Sequence, residues 1–552
     1  MIGQSLLTID GAGATIVVDG GCTGCDPGGT PSGGVRVFDV NGGGTVTFSN
    51  LTIQHGHPTQ SGLGGAIAIT SAATVTVRDS TLTANVASNG GAISVANTAV
   101  AITVRDCAFS GNATTGVGGG AIISSGPLTV TGSTFVGNTA PINGGSINVQ
   151  PGGTANVSNS TFANSTSGGL GGATSNLGII ILTNVTMSGN KASAGAGLAT
   201  GNSNPILTNT IIANSTGGAL SPATPSTPTP AFNGTNNLID DAATAGDFTD
   251  GTNGNIVGHP ALLGTLGNYG GATQTIPLLP GSPALDAGAA VGAGPAANPV
   301  PATDQRGKPR VGTPDIGAFE SQGFTLTPVA GSTPQSAFIN TAFAQPLALT
   351  VTAVNAVEPV AGGMVTFTAP ASGPSAVIAG SPATIAAGGL ASATATANGI
   401  KGAYIVAARV TASGAPGASF ALTNTVLLVS IAVTPANATL KVGQTQQFTA
   451  TGTFVDSSTA DITSAVMWTS NAPTVVGVDT SGKGTATAGG SAQITATQGA
   501  VSGHTGVTVS TPTLTGVQPA PAPAGRPSGT TSQPGGGAPA PSPAPAPAPS
   551  GR

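Results

Sequence analysis

VTVRDSTL (75–82), ITVRDCAF (102–109) and LTVTGSTF (128–135) are three versions of one pattern. On either side it returns as VTFSNLTI (46–53), ANVSNSTF (155–162), IILTNVTM (180–187) and PILTNTII (205–212). With Asn50, Asp79, Asp106, Gly132, Asn159, Asn184 and Asn209 as marks, successive spacings are 29, 27, 26, 27, 25 and 25 residues. Self-similarity at a fixed period of this size is the signature of a repeat architecture.

Each copy has the same internal logic. Two residues before the mark stand Phe48, Val77, Val104, Val130, Val157, Leu182 and Leu207, and four before it mostly aliphatic residues, with Thr or Ser commonly between. That alternation is the period of a half-buried strand. Three residues after the mark come Ile53, Leu82, Phe109, Phe135, Phe162, Met187 and Ile212, a second inward position. A glycine pair follows, ending at Gly65, Gly91, Gly120, Gly145 and Gly172. Such a unit cannot bury its apolar face alone; stacked on its neighbours it builds aliphatic ladders inside and hydroxyl ladders outside. The expected fold is all-β, a right-handed parallel β-helix with rungs about 4.8 Å apart. An asparagine recurs about six residues after the mark (Asn85, Asn112, Asn138, Asn164, Asn190, Asn214). It reads as a stacked ladder at a tight turn, the alternative being an exposed polar stripe that touches a ligand.

Composition agrees with this. Charged residues are 6% of the chain, against roughly 25% in an average globular protein. The net charge of −5 gives no reason to expect nucleic acid as a partner. Three cysteines in 552 residues rule out a disulfide scaffold and are compatible with export. No run of about 18 apolar residues offers a membrane-spanning segment. The opening MIGQSLLTIDGAG has neither the basic start nor the apolar stretch of a signal peptide, and the expectation is that the natural beginning lies upstream.

The TFxGN…GGAI repeats resemble those of right-handed parallel β-helix proteins, including the polymorphic outer-membrane protein repeats of surface adhesins. Residues 268–288, NYGGATQTIPLLPGSPALDAG, and 303–320, TDQRGKPRVGTPDIGAFE, resemble the end of bacterial choice-of-anchor Q β-helix proteins. That resemblance covers about residues 1–322: repeats over 1–225, then a C-terminal end or cap over 226–322. Residues 323–429 read as short alternating strands with frequent turn signals, a β-sandwich similar to bacterial Ig-like modules. Residues 430–511 resemble the second family of bacterial Ig-like domains, with Phe448 and the single tryptophan, Trp468, as core residues. A carbohydrate platform is the alternative role for Trp468. Residues 512–552, rich in Pro, Ala, Gly and Ser, are expected to form a disordered spacer.

Enzymes on β-helices need acid–base chemistry, and here it is scarce. The chain has two glutamates, Glu320 and Glu358; between Asp106 and Asp240 there is no Asp or Glu, and Lys191 is the one Lys or Arg. A glycosidase needs paired carboxylates, and a calcium-dependent lyase needs an acidic cluster with a base. Arg78-Asp79 and Arg105-Asp106 occupy one place on neighbouring rungs and read as stacked surface ion pairs, with a catalytic arginine as the alternative. Cys22, Cys25, His55 and His57 have metal-ligand types, but His55 falls where other rungs carry turn residues and Cys22 in a glycine-rich loop, which favours a local disulfide or free thiols over a metal site. Cys107 falls where other rungs carry Ser. Asp286, Asp304, Arg306, Arg310, Asp315 and Glu320 concentrate charge in one segment; they read as ion pairs capping the open end of the solenoid, or as a calcium site. The sequons at Asn112, Asn184 and Asn214 carry no weight in Asn/Thr-rich turns.

The expectation is a non-catalytic extracellular or cell-surface protein, adhesin-like or for structural display, with no catalytic, metal or cofactor residues assigned. Glycans or cell-surface components are the expected partners. The alternatives are a carbohydrate-active enzyme and a purely structural stalk.

Overall fold

In a computed structural model, residues 6–512 are described except 15, 27, 59–61, 72, 202, 223–228 and 412–416. The spacer expected over 512–552 lies outside the described residues from 513 onward. Two compact units divide the chain, Met1–Val426 and Leu427–Arg552.

The first unit begins with coils that turn three corners each. Every mark sits in the left-handed region, from Asn50 (φ 54°) and Asp79 (51°) to Asn209 (50°), and Asn236 (53°) makes the same corner one coil further on. A second corner falls at His55, Ala84, Gly111, Gly137, Asn164, Gly189 and Asn214, and a third at Gly64, Gly90, Gly119, Gly144, Gly171 and Gly195, all with positive φ. A single residue in this region bends a strand sharply without a loop, which is why Asn, Asp and Gly recur there. The glycine after the third corner answers to a different demand. A Cβ on Gly91 would lie 2.1 Å from the Gly120 carbonyl oxygen, so the stacking of coils leaves no room for a side chain.

Between corners run parallel strands in strict register. One wall carries two rows, such as Ala73–Arg78 against Ala101–Arg105 and Thr81–Thr83 against Ala108–Ser110. A second wall is an eight-stranded parallel sheet from Phe38–Val40 to Leu220–Pro222, and a third is the short sheet from Val86–Ala87 to Thr166–Ser167. Inside, Phe109, Phe135 and Phe162 stack with centroids 4.7 and 4.6 Å apart and rings nearly parallel, continuing the column of Ile53 and Leu82, beside a second ladder of Val77, Val104 and Val130.

Stacking runs past the boundary expected at residue 225. Asn233–Thr235 pairs with Ile206–Thr208, Leu238–Ile239 with Ile211–Ala213, and Ile256–Val257 with Leu238–Ile239. The linking loops there lack the glycine pair, which is why the pattern faded while the pairing continued.

Two sheets of four and five strands follow over Phe324–Thr425, closing on a core of Leu347, Leu349, Val365, Phe367, Val406 and Phe420. The second unit is another all-β sandwich, with strands from Leu428–Thr434 to Val501–Ser510 and a core around Phe448, Ile494, Ala496 and Trp468. The only helical turns among the described residues are Ala242–Thr244 and Thr252–Gly254. No helix among them is long and apolar enough to cross a membrane.

Candidate functional site

The charged segment does not cap the end of the solenoid. Residues 273–318 lie back along the two-row wall, held by its outward side chains. Thr273 Oγ1 donates to the Gly132 carbonyl (2.7 Å), Asn159 Nδ2 to the Thr303 carbonyl (2.7 Å) and Thr183 Oγ1 to the Asn298 carbonyl (2.7 Å). Asn209 both donates to Ala289 O and accepts from Ala289 N, and Asn236 donates to Ala287 O (3.0 Å). Buried Gln305 joins Thr134, Thr161 and Thr273. The reason for this placement is chemical. Corner asparagines and second-row threonines offer donors and acceptors at the rung spacing, and an irregular segment has backbone groups that need both. Gln305 and Asn298 went unnoticed in the sequence; for Gln305, a neutral amide within TDQRG was the available signal.

Within this belt the charges neutralise one another. Arg306 Nε meets Asp304 at 2.8 Å and Arg310 Nη1 meets Glu320 at 2.9 Å, with these side chains sealed from solvent. The Arg306 guanidinium lies 3.6 Å over the Phe319 ring and its Nη1 reaches Glu358 at 3.1 Å. Backbone N–H groups of Arg306, Lys308 and Glu320 bond to Asp304, those of Val311 and Asp315 to Glu320, and those of Asp286 and Ser321 to Asp315. Each oxygen of these three carboxylates therefore has an N–H donor, which is the chemistry of a structural knot; a calcium site needs such oxygens turned toward the ion. Burial raises the pKa of Asp315 well above the carboxylate range, with the Glu320 charge adding to it, and burial also raises Glu320.

Where the belt ends, the wall is open. Thr47, Thr76, Thr103, Thr129 and Asn156 occupy one outward column, each in register with the next. Thr45 and Thr74 begin a second column beside it, and both are exposed. Rungs about 4.8 Å apart and alternate residues about 6.8 Å apart make this a flat grid of hydroxyls. Its titratable groups sit at the corner. Arg78 and Asp79 pair at 2.6 Å, Arg105 and Asp106 at 3.7 Å, with Arg105 in register with Arg78. Burial raises Asp106, and its carboxylate fills the space where a side chain at Gly132 would stand.

The asparagine ladder is internal. Asn85 Nδ2 donates to Asn112 Oδ1 and Asn112 Nδ2 to Asn138 Oδ1, each at 3.0 Å, and all three are fully buried. Asn190 belongs to it, but Asn164 and Asn214 do not. They occupy the second corner with positive φ, while Ser165 takes the ladder position and accepts no amide from the rung before. The exposed-stripe reading is therefore overturned for Asn85, Asn112, Asn138 and Asn190, whereas Asn164 and Asn214 are exposed; the sequons at Asn112 and Asn184 lie at buried side chains. A parallel ladder follows the first corner: Ser133 Oγ accepts from Cys107 N and Ser160 Oγ from Ser133 N. Cys107 is one member of it, its Sγ donating to Arg105 O, and burial pushes its thiol up to about 12.

Cys22 and Cys25 form a disulfide, and His57 lies beside them. His55 stands apart, between Asp19 (3.0 Å) and Asp26 (3.5 Å). Hydrogen bonds from Gln54, Gly21 and His55 lower Asp19 to about 2. Trp468 is no platform for sugars: it is 8% exposed, and its Nε1 donates to the Thr463 carbonyl at 3.0 Å.

One cleft outside these features holds titratable groups. It measures about 450 Å³ and is lined by Asp250, His259, Ile256, Leu285 and Asp286 among others. Burial raises the Asp286 pKa, whereas bonds from Val257 N and His259 lower that of Asp250. Sequence reasoning singled out Asp286 and missed its two neighbours, since nothing in their spacing marks them.

Residues 429–509 match the family model of the bacterial Ig-like domain (group 2). Ice-binding protein 1 of Shewanella frigidimarina (strain NCIMB 400) is 40% identical over 106 residues, 19% of this chain and 12% of that protein. The chain thus spans a small part of that relative's length. Among solved structures, domains 4 and 5 of the S-layer protein SbsC are 21% identical over 21% of this chain and 68% of that one, with a TM-score of 0.15. Yersinia pseudotuberculosis InvD is 20% identical over 37% of this chain and 62% of that one (TM-score 0.24), and the Escherichia coli adhesin FdeC 15% over 37% and 72% (TM-score 0.24). Likenesses at these TM-scores say nothing about what this chain does.

Proposed function

We propose that this is a non-catalytic protein of the bacterial surface or its surroundings, a solenoid of the choice-of-anchor Q type that binds an uncharged, repeating ligand, a glycan chain. The observation that carries this reading is the open grid of Thr47, Thr76, Thr103 and Thr129. It offers hydroxyl donors and acceptors at a regular spacing on a rigid wall, with no unpaired charge among them. A group-2 bacterial Ig-like module in the same chain supports a place outside the cytoplasm. The name of the Shewanella relative makes ordered water a ligand to test against.

The test is glycan-array binding by the full chain beside the T76V/T103V variant, with released product and ice-recrystallisation inhibition measured on the same preparations. Valine keeps the shape and β-propensity of threonine and removes the hydroxyl. Binding that the double variant loses supports the reading. Binding that the variant keeps, or inhibition of ice recrystallisation without glycan binding, overturns it.

A second reading has its own observation, the opposed shifts of Asp286 and Asp250 in one cleft. Two carboxyls in one cleft whose surroundings push their pKa values apart are the pattern of an acid and base for cleaving carbohydrate. Product release that is lost in Asp286→Asn would replace the first reading by this one.

A further inference from the structure

The loop that carries Cys22 and Cys25 is held by backbone hydrogen bonds besides the disulfide. Cys22 N donates to His55 O (3.1 Å), Thr23 and Ser32 exchange backbone bonds (3.0 and 2.9 Å), Val35 N donates to Gly20 O (2.9 Å) and His57 N to Val35 O (3.0 Å). Gly24 takes a left-handed conformation (φ 69°), and a Cβ there would lie 2.3 Å from Thr30 O. Five backbone bonds and a tight glycine thus set the two cysteines, which are 7% and 3% exposed, against the wall at Val86 and Ala113.

Beside them, His57 is already oriented. Its Nδ1 lies 2.8 Å from the Gly33 carbonyl, which can only accept, so Nδ1 carries the proton and Nε2 the lone pair. A histidine whose other ring N–H is tied to a backbone carbonyl is the usual form of a metal-ligating imidazole. The two sulfurs and a ring nitrogen of His57 all lie within 4.8 Å of one another. Zinc-to-sulfur bonds of about 2.3 Å place two thiolates of a tetrahedron roughly 3.7 Å apart. Breaking the S–S bond gives the side chains that freedom while the backbone stays in place. The nearby carboxylates are engaged elsewhere, Asp19 and Asp26 both with His55.

We propose that reduced Cys22 and Cys25, together with His57, bind a thiophilic divalent cation of the zinc type, and that the disulfide is the metal-free, oxidised state of this site. An external thiol supplies the two electrons. Two R–SH become R–S–S–R, the Cys22–Cys25 bond opens, and each cysteine takes up one proton as a thiol. Metal binding then releases those two protons to solvent, because the thiolate is the ligand. Three protein ligands leave the fourth tetrahedral position to water.

Cobalt(II) is the probe, added to the full chain before and after reduction with a phosphine that does not compete for metal. The reduced chain is expected to bind one equivalent, with a thiolate-to-cobalt charge-transfer band and the intense visible bands of a tetrahedral site. Zinc should displace the cobalt, and the oxidised chain should give neither band. Cys22→Ser and Cys25→Ser should each abolish the charge-transfer signal, and His57→Ala should weaken binding by about tenfold or more. Cys107→Ser, a change at a buried rung position, should leave the spectrum unaltered. Far-ultraviolet circular dichroism of the reduced chain reports whether the fold is kept. The proposal fails if the reduced, folded chain shows no stoichiometric cobalt–thiolate band. It fails also if His57→Ala keeps both spectrum and affinity, because two thiolates alone would then account for the binding.

Discussion

Arg306 reaches Glu358 at 3.1 Å with both side chains sealed from solvent. It ties the belt along the solenoid to the sandwich that follows it in the first unit, together with the bonds from Gly281 N to Val410 O and from Met364 N to Pro280 O. Glu358 is also bonded by Ser321 Oγ, Gln322 N and Asn355 Nδ2, so its charge is fully met. Removing Glu358 leaves the Arg306 charge paired with Asp304, but strips buried donors of their acceptor, at about 1–3 kcal/mol. Glu358→Ala is therefore expected to lower the first unit's unfolding free energy by that amount, and Glu358→Gln by less. Urea unfolding followed by far-ultraviolet circular dichroism measures both, and an unchanged midpoint for the alanine variant would show the pair to be dispensable.

The asparagine ladder allows a contrast between two residues that look alike in the sequence. Asn112 sits inside, where its amide donates to Leu82 O and Asn138 Oδ1 and its oxygen accepts from Asn85. Asn112→Ala strands buried groups on both neighbouring rungs, each costing about 1–3 kcal/mol. Asn164, fifty-two residues on, is exposed with a φ of 54°. Asn164→Gly keeps that conformation and is expected to change stability by about 0.5 kcal/mol or less. Equal losses in the two variants, read from urea midpoints, would contradict the inward placement of Asn112.

The sequence made the solenoid legible because each rung repeats the same constraint: an inward aliphatic or Phe, a corner residue that tolerates positive φ, and a glycine where coils touch. The belt was hidden because it repeats nothing. Its one trace was in the marks themselves. Asp79 and Asp106 stand at open corners beside arginines, whereas Asn159, Asn184 and Asn209 stand where the belt lies over the corner. A buried corner favours a neutral amide that both donates and accepts; an exposed one tolerates a charge. The lack of acidic residues between Asp106 and Asp240 thus reports burial by the belt as much as any lack of chemistry. Likewise the spacing placed His55 at a turn position, but it did not show that this corner leaves His57 as the histidine that meets the cysteines.

The buried carboxyls of the belt give the first unit a pH dependence of definite sign. Burial raises Asp315, and Glu320 beside it, above their unfolded values. A group raised in this way holds its proton more tightly when folded. The stability it contributes is full below the unfolded value near pH 4 and is lost as pH rises through the folded value. The first unit should therefore unfold at higher urea at pH 5 than at pH 7. His55, raised chiefly by its hydrogen bond to Asp19, contributes in the same sense, so the variant isolates the belt. Asp315→Asn should shrink the difference between the two midpoints; a difference that stays the same would remove Asp315 as its source.

In the second unit, the core hangs on one large side chain. Trp468 packs with Phe448, Ile494 and Ala496, and its indole N–H meets the Thr463 carbonyl. Gly482 approaches so closely that a Cβ there would stand 2.9 Å from the indole ring, which leaves the ring no room to shift. Trp468→Ala removes a ring that the surroundings cannot collapse upon, and losses of about 3–5 kcal/mol accompany such truncations. Trp468→Phe fills most of the volume but leaves Thr463 O without its donor, so a smaller loss is expected. Amide hydrogen exchange in Gly490–Gln498 and Val501–Ser510 reads the effect in place. Protection in these strands should fall steeply in the alanine variant and modestly in the phenylalanine one. Undiminished protection in the alanine variant would mean that Trp468 is not what holds the two faces of this sandwich together.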